Sequence, residues 1–243
     1  LMSSEDIRGM DYAMAVHVYG RKFNVDELLE RVPYVIEDMA EAHGIFPHVD
    51  SFAACWSFYK NKIVHGEEGG MIAFKYRSHA NFARELRSLG FNNQHNFYHR
   101  PRGVNARMSN LHATPILDSF RSMKENLTTR AMIVSMYDAL LPSKYMMPSR
   151  TVDWVYDIRV PGMTYAQQDV LVRSLNQHGI AARHAFKPMS SQVEFKQSQN
   201  DNALRLSKEV IYLPVTEYMT LEDVEKNMKE LKFWLQRLEA GLV

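Results

Sequence analysis

The chain has 243 residues, of which 46% are hydrophobic, 23% charged and 11% aromatic, a composition that can bury a core and is unlike that of a disordered protein. Lysine and arginine number 29 and aspartate and glutamate 28, so the net charge is +1. This balance leaves no excess of positive charge for a nucleic-acid backbone, and we expect no nucleic-acid partner.

The compartment is indicated by what the sequence lacks. One cysteine, Cys55, excludes an intramolecular disulfide framework and is typical of a reducing compartment. No run of about 18 apolar residues is present, and the first residues lack the apolar stretch of a signal peptide. We therefore expect a soluble, cytoplasmic protein without a membrane span. The histidines, including His95, His99 and His112, match no compact zinc pattern, so we expect no metal site.

The first half of the chain alternates short apolar runs with amphipathic stretches. This pattern predicts an α/β fold with a parallel or mixed sheet. Strands are predicted at 13–19, 34–36, 53–59 and 71–74. A short helix is predicted at 25–31, with Asn24 as its N-cap.

The second half predicts a smaller α+β unit. Helical spacing covers 79–90 and 110–140, and the latter stretch is long enough to link two compact units. Beyond Pro142 we predict strands at 154–160, 180–186 and 210–213, helices at 165–178 and 221–238, and a loop at 190–202. The expected domains are therefore 1–125 and 126–243.

Asp38 directly follows the second predicted strand. In open α/β sheets ligands bind beyond the carboxyl ends of the strands, so Asp38 lies where chemistry is expected. A desolvated, unpaired carboxylate costs several kcal/mol, so this side chain needs a cationic partner. The alternative interpretation is that Asp38 caps the next helix.

Lys62 follows a cluster of aromatic residues. Burial near Trp56, Phe58 and Tyr59 would lower the pKa of its ammonium group and favour the neutral amine that a nucleophilic lysine needs. The spacing alone favours an ordinary exposed pair with Lys60 instead. The glycines that follow match neither a Walker loop nor a Rossmann fingerprint, so neither ATP nor NAD is predicted.

Seven motifs follow one another along the chain: VHVYG (16–20), EDMAEAHG (37–44), SFYKNK (57–62), EEGGM (67–71), GVNARMSN (103–110), GIAAR (179–183) and PMSSQ (188–192). Taken in order, these motifs resemble the pyridoxal-phosphate-dependent nucleotide-sugar aminotransferases of the DegT type. The resemblance covers nearly the whole chain. It implies part of a fold type I (aspartate-aminotransferase-like) large α/β domain followed by a small α+β domain. Glu41, where many members have glutamine, and the PMSSQ stretch are most similar to the perosamine synthases.

The resemblance implies roles for individual residues. Lys62 would bind pyridoxal phosphate covalently and move a proton between the α-carbon of the amino acid and the cofactor. Asp38 would face the pyridine nitrogen and keep it protonated, which makes the cofactor the cation that this carboxylate needs. Glu41 would lie close to the phenolic oxygen, and Ser57 would donate a hydrogen bond to the phosphate.

Three further residues are implied to contact anions. Asn105 matches an asparagine that reaches the cofactor phosphate of the neighbouring subunit, which implies a homodimer or a larger homo-oligomer. Arg107 and Arg183 are candidates for a substrate carboxylate or diphosphate, because guanidinium groups suit bidentate anions.

The implied reaction is transamination of a nucleotide-linked 4-keto-6-deoxy sugar, with glutamate as the expected amino-acid donor. A few relatives carry histidine in place of Lys62 and dehydrate the sugar. The lysine therefore favours amination.

The sequence departs from the family mainly before VHVYG, where members carry about one further domain that supplies phosphate contacts and a stacking aromatic ring. Glu67 also replaces a glycine of the family's turn. Three alternatives stay open: a non-catalytic remnant that acts as an assembly module, one part of a split enzyme completed by a separate N-terminal half, or a working minimal enzyme.

Overall fold

The computed structural model describes residues 7, 9–91, 97–195 and 201–242. Two compact units divide the described chain between Lys124 and Glu125. No helix within the described residues is both long enough and apolar enough to cross a bilayer.

The N-terminal unit is built on a four-stranded sheet with the order β1-β2-β3-β4. β1 pairs with β2 and β2 with β3 in parallel, whereas β3 and β4 are antiparallel. The parallel pairing brings the carboxyl ends of the first three strands to one edge. The strands are β1 (Tyr12–Val16), β2 (Tyr34–Asp38), β3 (Ala53–Ser57) and β4 (Gly70–Phe74), and the helices are α1 (Asp26–Leu29), α2 (Arg77–Arg87) and α3 (Asn110–Arg121).

The two faces of β1 differ in burial. Ala15 belongs to a core cluster with residues of α1 and with Val35 of β2. Tyr12, Met14 and Val16, which alternate with the inward residues, are exposed. The edge strand β1 therefore presents an exposed apolar face.

Local details correct three sequence predictions. β2 extends through Asp38, because the strand pairs with both β1 and β3 there, so Asp38 is the last residue of the strand. The N-cap of α1 is Val25, and Asn24 instead donates a hydrogen bond from Nδ2 to Glu27 Oε1. The helix predicted over 110–140 is two helices, because Ser122 ends α3 with non-helical backbone angles.

The C-terminal unit has a three-stranded antiparallel sheet with the order β5-β7-β6. Thr164 and Thr220 form capping boxes that begin α5 and α7. The predicted strand at 180–186 is reduced to two residues, and α6 begins inside the predicted loop 190–202, of which 196–200 lie outside the described residues. The elements are α4 (Met123–Leu140), β5 (Tyr156–Arg159), α5 (Tyr165–Gln177), β6 (Arg183–His184), α6 (Asp201–Glu209), β7 (Val210–Leu213) and α7 (Leu221–Glu239).

Candidate active site

Asp38 ends β2 between Val16 of β1 and Cys55 of β3. Its side chain is half-buried, and Oδ1 accepts a hydrogen bond from the Ala40 N–H at 2.9 Å. The helix-capping interpretation is therefore wrong, because Asp38 binds the backbone of a local turn and no helix begins there. Oδ2 makes no hydrogen bond within the described part of the chain, which leaves one carboxylate oxygen available for a ligand.

Glu37, the preceding residue, is a fully buried carboxylate. Its Oε2 lies 2.9 Å from His17 Nε2, and its Oε1 accepts hydrogen bonds from Ser51 Oγ at 2.5 Å and from the His48 N–H at 2.7 Å. Burial raises the pKa of Glu37, but the hydrogen bonds from His17, Ser51 and His48 outweigh it and hold the pKa below its ordinary value.

His17 links this carboxylate to the next loop. Its Nδ1 accepts the Phe23 N–H at 2.9 Å, so the ring proton lies on Nε2 and is donated to Glu37. The pair is fully buried. Because the carboxylate binds His17, which directly follows β1, and groups of the 48–51 loop, it fixes the end of the strand that carries Asp38.

Glu41 lies in the turn after β2 and is almost completely buried. Its Oε2 accepts the Tyr19 N–H at 2.7 Å. Tyr19 has a φ of 54°, in the left-handed region that is uncommon for a residue with a side chain. This backbone conformation, in the turn Val18–Gly20 that follows β1, orients a hydrogen-bond donor toward Glu41.

Lys62 faces Glu41 across the site, with Nζ 3.8 Å from Oε1 and only 11% of its side chain exposed. Burial lowers the pKa of Lys62, and the negative charges of Glu41 and, to a smaller extent, Asp38 oppose that effect. The interpretation of Lys60 and Lys62 as an exposed pair is therefore wrong for Lys62. Lys60 is exposed, with its ammonium 5.8 Å from the Tyr59 ring.

The loop that carries Lys62 is tied down by hydrogen bonds from distant residues. The Val64 N–H donates to His43 Nδ1 at 2.9 Å. The His65 N–H donates to Ser119 Oγ at 3.1 Å, and that hydroxyl donates to the Ile63 carbonyl at 3.4 Å. Ile63 and Val64 are also buried, so the loop is anchored at the three residues that directly follow the lysine.

Ser57 is the last residue of β3 and is half-buried. Its Oγ accepts the Tyr59 N–H at 3.3 Å, which leaves the hydroxyl proton available for donation. Ser57, the residue predicted to bind the cofactor phosphate, therefore lies at the same end of the sheet as Asp38.

Asn105 and Arg107 lie on an exposed loop of the same unit. Arg107 Nε donates to Asn105 Oδ1 at 3.2 Å. The loop packs tightly on the end of α2, because a Cβ at Gly103 would lie 2.3 Å from the Gly90 nitrogen. Arg183, the first residue of β6, is exposed in the C-terminal unit. The described contacts thus bring Lys62, Glu41 and Asp38 together and leave the roles of Asn105, Arg107 and Arg183 as predictions.

Two of the three histidines considered for a metal site, His99 and His112, bind oxygen atoms of the protein. His99 Nδ1 bonds to the Leu89 carbonyl oxygen and His112 Nδ1 to Ser109 Oγ, whereas His95 lies outside the described residues. Within the described ranges no three histidine, cysteine, aspartate or glutamate side chains are grouped so as to hold a metal ion.

Sequence reasoning missed the anchoring residues His17, Glu37, His43 and Tyr19. All four lie inside the motifs VHVYG and EDMAEAHG, so their proximity in sequence to Asp38 and Glu41 was an available signal. No sequence signal indicates the left-handed backbone at Tyr19, because the residue is not glycine.

The profile of the DegT/DnrJ/EryC1/StrS aminotransferase family matches residues 10–232. The chain belongs to this family. The family uses pyridoxal phosphate.

Two GDP-perosamine synthases are similar in sequence. That of Caulobacter vibrioides is 32% identical over 193 residues and that of Escherichia coli O157:H7 25% over 190, each match covering 72% of this chain and 52% of the relative. The chain therefore spans about half the length of these relatives. The putative sugar aminotransferase Spr1654 from Streptococcus pneumoniae has the same fold over 98% of this chain and 71% of its own, with a TM-score of 0.85 and 18% identity. The predicted α/β fold class is confirmed.

The residues at the site fit pyridoxal phosphate. An amine whose pKa is lowered by burial suits the aldehyde, and a half-buried carboxylate with one available oxygen suits the pyridine nitrogen. Lys62 and Asp38 would hold these two groups, and Ser57 offers a hydroxyl for the phosphate.

We expect His43→Ala to destabilise the loop that carries Lys62. The buried Val64 N–H would lose its acceptor, which costs about 1–3 kcal/mol. His43→Asn retains an acceptor near the position of Nδ1 and should recover much of that loss. Urea unfolding and amide exchange at 58–69 measure both effects, and equal stability of the alanine variant and wild type would contradict the anchoring role.

The buried Glu37 predicts an acid-sensitive fold. Its pKa is lowered on folding, so its contribution is complete above the unfolded pKa of about 4.3 and is lost as the pH falls through the lower folded pKa. Glu37→Gln should lower the unfolding free energy near neutral pH by about 2 kcal/mol and flatten its decline in acid. Glu30→Gln, at an exposed acid, is the control. Parallel unfolding curves for wild type and Glu37→Gln across the acid range would contradict this assignment.

Proposed function

We propose that this chain carries the lysine site of a pyridoxal-phosphate-dependent transaminase. The reaction would move an amino group from an amino acid, with glutamate as the expected donor, to a nucleotide-linked 4-keto-6-deoxy sugar. The observation that carries the proposal is the buried Lys62 amine 3.8 Å from Glu41, in a loop anchored by His43 and Ser119.

Bound pyridoxal phosphate supplies an electron sink for the pair released when the amino-acid α-proton leaves. The protein's part is to hold protons at defined atoms. Because burial lowers the pKa of Lys62, the neutral amine is more accessible near neutral pH, and Nζ can both accept and return a proton. Asp38 Oδ2 can accept a hydrogen bond from a protonated ring nitrogen and so stabilise its positive charge.

The remaining predicted residues would bind the anionic groups of the cofactor and the substrate. Ser57 would donate to the cofactor phosphate, and Asn105 would reach the phosphate of a neighbouring subunit. Arg107 and Arg183 would bind a substrate carboxylate or diphosphate. Both arginines are exposed, which leaves their guanidinium groups accessible to a large nucleotide-linked substrate.

The proposed sugar class is supported by the relatives. The Caulobacter vibrioides relative is a GDP-perosamine synthase, and its 32% identity over 193 residues supports a similar keto-sugar substrate. The single cysteine keeps the cytoplasm as the expected location.

We propose, second, that the chain assembles through its exposed sheet face. Tyr12, Met14 and Val16 present apolar surface at β1, which is an edge of the described sheet. Parallel sheets are normally covered on both faces, and open edges readily pair with other chains. Alone, the chain is expected to self-associate as a homodimer or larger oligomer, and a separate N-terminal half is expected to compete for the same face.

The catalytic proposal predicts that Lys62 reacts with added pyridoxal phosphate. The mixture should turn yellow, and borohydride should fix the added mass on Lys62 as read by peptide mass spectrometry. Lys62→Ala should abolish the adduct, whereas Lys60→Ala, at the exposed neighbour, should retain it. A colourless wild-type protein would remove the enzyme proposal for this chain alone and favour the remnant or split-enzyme alternatives.

The assembly proposal predicts that Met14→Glu shifts the chain toward the monomer. Met14 is 63% exposed on the apolar face, and burying a charge there would oppose association. Val49→Glu, at an 83% exposed valine in the loop between β2 and β3, should leave the assembly unchanged. Sedimentation velocity measures both variants, and a wild-type chain that sediments as a monomer would overturn the proposal.

A further inference from the structure

Glu41 is held in place independently of Lys62. Its Oε2 accepts the Tyr19 N–H at 2.7 Å, and the left-handed backbone at Tyr19 sets the direction of that donor. The other oxygen, Oε1, is the one that lies 3.8 Å from Lys62 Nζ. One oxygen therefore anchors the carboxylate, and the other presents its charge to the amine.

The distance places the two charges in ion-pair range without a short hydrogen bond. About one tenth of each side chain is exposed, so water and salt screen the interaction much less than on an open surface. A fixed negative charge at this range favours the protonated form of an amine.

Other titratable groups lie on the loop of Lys62 and on the elements that contact this loop. From β2 and its turn come Asp38, the second negative charge acting on Nζ, and His43, which binds the loop through its Nδ1. From the loop itself come Lys60, His65, Glu67 and Glu68, of which Lys60, Glu67 and Glu68 are exposed. The α3 helix contacts the loop through Ser119, and its neighbouring acid Asp118 is ion-paired with Arg121.

We propose that Glu41 is a positioning residue that sets the pH at which Lys62 becomes a nucleophile, because its anchored carboxylate holds the proton on Nζ. Burial and Glu41 then act in opposite directions on the amine. Burial makes deprotonation easier, and Glu41 limits how far that effect goes. The consequence for cofactor capture rests on the proposed function, whereas the effect on the amine does not.

The proposal gives the site a defined response to pH. Below the midpoint set by Glu41, Lys62 stays an ammonium group paired with the carboxylate and cannot attack a carbonyl. Above it, the amine lone pair is available. Removing the charge of Glu41 while keeping its shape should therefore move reactivity to lower pH.

The test measures the reactivity of Lys62 without any cofactor. The chain is treated with trinitrobenzenesulfonate at a series of pH values, and the label on the Lys62 peptide is quantified by mass spectrometry. Glu41→Gln keeps an oxygen that can accept the Tyr19 N–H and should lower the labelling midpoint by about one pH unit, which is about tenfold more label below the midpoint. Glu41→Asp, which keeps a negative charge, should lie nearer to wild type.

Two further variants make the result specific. Glu68→Gln, at an exposed acid of the same loop, should leave the midpoint where it is in wild type. Asp38→Asn should lower the midpoint less than Glu41→Gln does, because the Asp38 charge acts more weakly on the amine. Thermal unfolding by circular dichroism confirms that each variant is folded when it is labelled.

The inference is overturned if Glu41→Gln labels with the wild-type midpoint or a higher one, or if Asp38→Asn shifts the midpoint more. A separate titration with pyridoxal phosphate distinguishes this outcome from failure of the proposed function. A shifted labelling midpoint without a yellow adduct would support the role of Glu41 and reject cofactor capture. A yellow adduct that forms with the same pH midpoint in wild type and Glu41→Gln would support cofactor capture and reject the role of Glu41.

Discussion

The buried carboxylate of Glu37 fixes the end of β2, and the candidate site depends on it. A desolvated charge is tolerated only when hydrogen bonds satisfy it. Here the donors are His17, which directly follows β1, and Ser51 and a backbone N–H of the 48–51 loop. Successive side chains of a strand point to opposite faces, so Glu37 and Asp38 are neighbours in sequence and opposite in direction. Glu37 anchors the strand and thereby fixes the position of Asp38, which can bind a ligand.

The electrostatic balance of the site follows from this arrangement. Two carboxylates, Asp38 and Glu41, act on one amine, Lys62, so the group carries an excess of one negative charge when all three are ionised. An incoming cationic ring nitrogen would neutralise that excess at Asp38. Glu41 is already held by the Tyr19 N–H, so its charge stays near the amine when a ligand approaches. The two acids are therefore suited to different tasks although they are only three residues apart.

Much of this fold could be predicted from the sequence, because a short apolar run marks each strand of the first sheet. The predicted end of β2, at residue 36, lies two residues before the observed one. Glu37 and Asp38 are polar, and it is pairing with the neighbouring strands that keeps them in β2. The proximity of Lys62 to Glu41 could be expected from the family motifs. The hydrogen bonds that anchor the two residues, to Tyr19 and to His43, could not. The bond between His43 and Val64 joins residues 21 positions apart, and no local pattern signals which ring nitrogen accepts. Tertiary contacts of this kind override propensity, and they are what a single sequence leaves undetermined.

The site is better built for covalent capture of a carbonyl than for binding a phosphate. The contacts that prepare the amine all lie within the N-terminal unit: burial of Lys62, the loop bonds to His43 and Ser119, and the charge of Glu41. For a phosphate, the described residues at the sheet edge offer the Ser57 hydroxyl, and the Arg107 guanidinium is on an exposed loop and bonded to Asn105. Noncovalent affinity for a dianion depends on several converging donors, whereas a bond to the amine depends mainly on its protonation state. Under the proposed function, therefore, the protonation of Lys62 would control cofactor capture more strongly than phosphate recognition would.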